Sequence, residues 1–114
     1  MPETGLHDTD YLHHIADELE FLLRMHRGLQ SPEELREDEI KQRAIVRSLE
    51  IIGEAANKLS AEFKETYPEI PWRKLTDTRN RLIHGYFTVS LSIVWFILEN
   101  EAEPLYQAIL PLIK

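Results

Sequence analysis

The 114-residue chain has no cysteine. Disulfides, thiol nucleophiles and thiolate metal sites are therefore excluded, and the composition suits a reducing compartment. It has only four glycines and six prolines, and no low-complexity or Gly/Ser-rich tract, so one folded domain over residues 1–114 is expected. No apolar run approaches the ~20 residues that a membrane-crossing helix needs; the longest nearly apolar stretch, Leu91 to Leu98, falls well short. The opening Met1-Pro2-Glu3-Thr4 lacks the basic and apolar regions of a secretory leader, so a cytoplasmic protein that does not engage a membrane is expected. Positive charge is scarce as well: 13 Lys and Arg face 20 Asp and Glu, a net charge of −7. That balance excludes a broad electrostatic footprint on nucleic acid, which rests on many cationic contacts to phosphate.

The few cations that are present cluster. Between Pro71 and Tyr86, Arg73, Lys74, Arg79 and Arg81 stand against the single acid Asp77, a local charge of +3 that leaves −10 for the remainder. At the heart of this segment lies Arg79-Asn80-Arg81-Leu82-Ile83-His84-Gly85-Tyr86. Like charges gathered on one short segment of an acidic protein point to a local anionic ligand, and a titratable imidazole stands beside them.

Apolar periodicity predicts helices throughout. Leu12, Ile15, Leu19, Leu22 and Leu29 mark one face of a helix from about Asp8, with Gly28 at its end. Ser31-Pro32-Glu33-Glu34 reads as a helix start, Ser31 capping and Glu34 placed to return the capping-box bond. Ile45, Leu49, Ile52, Ala56 and Leu59 form the stripe of a second long helix, where Gly53, Ala55 and Ala56 would let a neighbour approach closely. A short helix over Ser60 to Tyr67 would stop at Pro68. A further helix starting at Pro71 would carry the basic segment and close at Gly85 with a left-handed cap. From about Ser90 to Ile113 the steps of four and three are the most regular in the chain, with a kink expected at Pro104. No segment alternates with period two. The fold class is therefore all-α, an antiparallel up-and-down bundle of four to five helices.

On a straight helix Asn80 and Arg81 share the face of His84, whereas Arg79, five residues before it, is turned away by about 140°. Geometry thus favours Arg81 as the neighbour of His84, while Arg79 converges on the same ligand if the helix unwinds near Gly85 or a second copy of the chain supplies the facing surface. A histidine titrating near neutrality can take a proton from a ribose hydroxyl or give one to a leaving oxygen, and a guanidinium can hold a phosphate and its transition-state charge. Together they can cleave RNA without a metal.

The string from Arg79 to Tyr86 resembles the motif of the HEPN superfamily, an Arg followed by a polar residue, a spacer and a His. The trailing Gly85-Tyr86 is similar to the HepT-type toxins. Leu49-Glu50-Ile51-Ile52-Gly53-Glu54-Ala55-Ala56, Pro71-Trp72-Arg73, Val94-Trp95 and Pro104-Leu105 extend the resemblance over the chain from about Tyr11 onward. It implies a HEPN-like bundle acting as a metal-independent endoribonuclease toxin of a type VII-like toxin–antitoxin pair, in which a homodimer brings two motifs to one cleft. By the same resemblance Arg79 and His84 are the catalytic pair, Asn80 supports them, and Tyr86 is the residue that an MntA-type nucleotidyltransferase antitoxin modifies with AMP. Arg81 falls in the spacer as a further supporting residue. The substrate would be messenger or transfer RNA, and no cofactor is implied. Phosphate added two residues from His84 places negative charge where the RNA phosphate must bind. The alternative is a noncatalytic HEPN module that partners a nucleotidyltransferase or binds a nucleotide.

Other features carry less. Asp10 and His14, with His13 and Asp17 beside them, have the spacing of a metal-binding helix face but no third ligand, so no metal site is assigned. His7 and His26 read as surface residues. Glu50 and Glu54 have the spacings of helix salt bridges, to Arg47 and Lys58 respectively, while Gly53-Glu54 also hints at a place facing the cleft. Trp72, Trp95 and Phe96 at helical spacing read as core before they read as stacking platforms for bases.

Overall fold

The computed structural model describes residues 7–84 and 91–113, with 83 and 84 as backbone only. Among them every regular element is helical. Helix α1 spans Asp8–Arg27 and buries Leu12, Ile15, Ala16, Leu19 and Leu22. The side chain of Asp10 accepts the backbone N–H of His7 at 2.9 Å, tying down the start of the helix. Gly28 ends it in a right-handed conformation, φ −84°, so this glycine supplies no left-handed cap.

Helix α2, Pro32–Glu37, begins as expected, with Ser31 Oγ accepting the N–H of Glu34 at 3.3 Å. The return bond differs by one residue: the Glu34 carboxylate takes the N–H of Gln30, at 2.9 Å, rather than that of Ser31. Asp38 then caps α3, Glu39–Lys58, through the N–H of Lys41. The α3 stripe of Ile45, Leu49, Ile52 and Ala56 is buried against α1 and later helices. Buried Ser48 donates its hydroxyl to the Glu18 carbonyl across that contact, at 3.3 Å.

The pairing of α1 with α3 is antiparallel, because the end of α1 at Gly28 lies near Lys41 while its start meets the residues after α3. That second contact is a clasp. The Asp8 carboxylate accepts the Ser60 N–H at 2.9 Å and the Ser60 hydroxyl at 2.7 Å. The same hydroxyl oxygen accepts the N–H of Phe63 at 3.1 Å, capping α4, Ala61–Thr66. Helix α5, Trp72–His84, follows a turn in which the Trp72 ring N–H donates to the Tyr67 carbonyl at 3.0 Å. Trp72 is core; Trp95 is half-buried and Phe96 exposed.

The C-terminal rod departs from the single kinked helix expected there. It comprises α6, Leu91–Phe96, a π-helical turn at Ile97–Glu101, α7, Ala102–Ile109, and a 3₁₀ turn at Leu110–Ile113. The interruption thus precedes Pro104, with the Ala102 N–H reaching back to the Ile97 carbonyl. Pro104 sits in the first turn of α7, where a missing N–H costs little. The rod runs antiparallel to α1. His26, read from sequence as a surface residue, packs edge-on against Trp95 and lies 4.0 Å from Glu99, while the Tyr106 hydroxyl donates to Glu20 further along. Four long helical segments, joined by the short α2 and α4, make the all-α bundle. No helix among the described residues is long and apolar enough to cross a membrane.

Candidate active site

Helix α5 carries the basic segment, and its contact with α3 sets the position of Arg79. An ideal Cβ built on Gly53 would lie 2.1 Å from Arg79 Cβ and 2.7 Å from the Leu75 carbonyl oxygen, closer than any real side chain is tolerated. The small residue noted in α3 therefore serves close approach of helices, as the sequence suggests. A glycine inside a helix costs about 0.5–1 kcal/mol relative to alanine, and the backbone contact with α5 is what it permits.

The stem of Arg79 lies in that contact. Its Nε is buried and, among the described residues, has no hydrogen-bond partner, while Nη1 donates to Asn80 Oδ1 at 3.0 Å. Buried donors are seldom left without an acceptor, and an orphan of this kind costs about 1–3 kcal/mol. The helix offsets that separate Arg79 from His84 by about 140° apply to the Cα–Cβ direction alone. Beyond Cβ the guanidinium turns to Asn80, which stands four residues before His84 and so on its side of α5. The structure thus brings Arg79 and Asn80 into direct contact, with Asn80 and Arg81 exposed.

The acids nearest in sequence to Gly53 do not claim that guanidinium. Arg47 Nη1 lies 3.2 Å from both Glu50 and Glu54. These two hydrogen bonds raise Arg47 above its ordinary pKa. Glu50 pairs as its spacing predicts, but Glu54 turns back to Arg47 rather than forward to Lys58. Among the described residues Arg79 forms no ion pair with a carboxylate; its Nη1 is engaged by Asn80.

His84 is the last residue of α5, and its description ends at the backbone. Tyr86 and Gly85, with the left-handed cap expected there, lie outside the described residues. Asp10 of the weak metal pattern is engaged in capping α1, and among the described residues no group of three His, Asp or Glu side chains converges. Sequence reasoning marked Gly53 for close packing without identifying Arg79 as the residue packed on it.

A helical bundle bearing an Arg-polar-spacer-His motif near the end of one helix has the HEPN architecture. The family described as "Ribonuclease HepT-like" matches residues 15–112. Similar proteins include one from Caldanaerobacter subterraneus subsp. tengcongensis named "Putative RNase TTE0752", 46% identical over 85 residues that cover 75% of each chain. Another, from Thermococcus cleftensis, is named "Probable ribonuclease HepT" and is 41% identical over 86 residues, 75% of this chain and 77% of that one. A third, from Methanocaldococcus jannaschii, is named "Gamma-glutamylcyclotransferase and putative RNase MJ0434"; it is 33% identical over 91% of this chain but only 46% of its own length. No solved structure matches. The chain belongs to the HepT-like ribonuclease family.

Proposed function

We propose that the protein is an endoribonuclease that cuts RNA by transphosphorylation without a metal. The observation that carries this reading is the guanidinium of Arg79. Its stem is buried against α3, its Nη1 is held by Asn80, it forms no carboxylate pair among the described residues, and it shares a helix with His84. Family membership and the names of the relatives support the same activity.

In the proposed reaction a ribose 2′-oxygen attacks the adjacent phosphorus, its proton passing to a base. The bond to the 5′-oxygen breaks as that oxygen receives a proton, leaving a 2′,3′-cyclic phosphate and a 5′-hydroxyl. His84 serves as base or acid, Arg79 holds the phosphate and its developing charge, and Asn80 keeps the guanidinium turned toward that side. Arg81, exposed one residue beyond Asn80, adds attraction for the strand. In-line displacement needs a base on one side of the phosphorus and an acid on the other. Each motif has one imidazole, so two copies of the chain at one cleft would supply both.

The toxin role, the cytoplasmic setting and the nucleotidyltransferase antitoxin belong to the same proposal. Transfer of AMP to Tyr86 would put a phosphate two residues from His84 and repel the RNA. The test is incubation of unmodified protein with total cellular RNA in excess chelator, beside a folded His84→Ala variant, with fragment ends mapped. Cleavage by the parent alone, leaving cyclic phosphate ends, is the expected result. A parent that is free of AMP by mass spectrometry and leaves RNA intact would instead mark a binding module.

A further inference from the structure

We infer that Gly53 is a positioning residue for the ribonuclease reaction, acting through Arg79; this rests on the role proposed for Arg79. Two independent observations meet at this point. The first is steric: there is no room for even one carbon at position 53, because Arg79 Cβ and Cγ and the Leu75 carbonyl already occupy that space, at 2.1, 3.0 and 2.7 Å. The second is polar: the Nε of Arg79 is buried beside this contact without an acceptor among the described residues, while the far end of the same group is hydrogen-bonded to Asn80. A guanidinium left to follow its own hydrogen bonding would not bury an unsatisfied N–H. Here the helix contact dictates where the stem runs, and the 3.0 Å bond to Asn80 marks where the group ends.

The consequence is a side chain with little freedom between its root and its tip. Arginine is long and rotamer-rich, and holding it in advance spares the reaction the cost of ordering it. It also turns the charge to a side of α5 that the direction of its Cα–Cβ bond does not favour. A methyl group at position 53 must push α5 outward or swing Arg79 off Asn80. Misplacement by about 1 Å costs on the order of 10²-fold in rate.

The test is a cycle of four proteins: parent, Gly53→Ala, Arg79→Gly and the double variant, each checked for helix content and assayed for kcat and KM on one RNA. In the parent background Gly53→Ala is expected to lower kcat/KM by about 10²-fold, chiefly through kcat, the pattern of a contact that strengthens in the transition state. In the Arg79→Gly background the same methyl still meets the Leu75 carbonyl at 2.7 Å, so it is expected to lower stability but to cause no further loss of kcat, since the residue it acts through is gone. Losses that multiply in the double variant would overturn the inference and leave Arg79 in place. An Arg79→Gly protein as active as the parent would overturn the role of Arg79 itself, and the inference with it; a parent without activity would do the same. Should Gly53→Ala fail to fold, the double variant decides: a folded double variant shows that the clash is with Arg79, and an unfolded one shows that the Leu75 carbonyl alone demands the glycine.

Discussion

The two flanks of α5 are built in opposite ways. Toward α3, backbone meets backbone so closely that position 53 cannot hold a methyl group. Toward the C-terminal rod, α5 stands off across a cavity of about 350 Å³, floored by Leu22, Ile52 and Leu105 and crossed by the ion pair of Lys74 with Glu101. Arg79 is rooted in the tight flank and Thr78 lines the loose one. Neighbouring residues on one helix thus face a tight contact and an open groove, and the residue assigned to chemistry is on the side that cannot shift. Protein interiors transmit strain where they are dense and absorb it where they are not.

Placing the same side chain on either flank tests that contrast. Gly53→Leu forces four carbons into space that does not admit one, and should cost more than about 3 kcal/mol or abolish the cooperative transition, as read by thermal unfolding. Ala108→Leu, at the exposed rim of the cavity, should change stability by no more than about 1 kcal/mol in urea unfolding. Comparable losses at both positions would mean that the flanks do not differ. The smallest effect belongs to Glu101→Gln, which removes the ion pair across the cavity. Lys74 and Glu101 are 59% and 30% exposed, so the loss should stay below about 1 kcal/mol and shrink in 1 M salt. A larger, salt-independent loss would make that pair a structural strut.

How far the sequence reveals this arrangement depends on whether the signal is local. The stripes of α1 and α3, the Ser31 cap and the small residues around Gly53 are local patterns, and the structure carries each of them. The π turn is not visible in the same way, because periodicity reports which face is buried and not which carbonyl each N–H chooses. The buried residues Val94, Leu98 and Ala102 are nonetheless spaced by two steps of four. On an α-helix each such step drifts by about 40°, and a wider turn takes up the drift. The place of the candidate Arg, Asn and His segment near a helix end was legible, but not its geometry. Offsets along α5 set Arg79 apart from His84, and the turn of its guanidinium toward Asn80 follows from contact with α3, which no pattern within α5 encodes. The wide reach of Glu34 to Gln30, and of Arg47 to Glu54 seven residues on, likewise depends on side-chain paths that spacing alone leaves open.

The clasp between Asp8 and Ser60 bears on which residues can replace one another. As a helix cap considered alone, Ser60 is interchangeable with aspartate, since either side chain accepts the N–H two or three residues on. Here the hydroxyl is donor and acceptor at once, giving its proton to Asp8 while taking that of Phe63. An ionised aspartate has no proton to give and would face a second carboxylate. Descent with variation should therefore admit threonine at this position and reject the acid, unless position 8 changes in the same lineage.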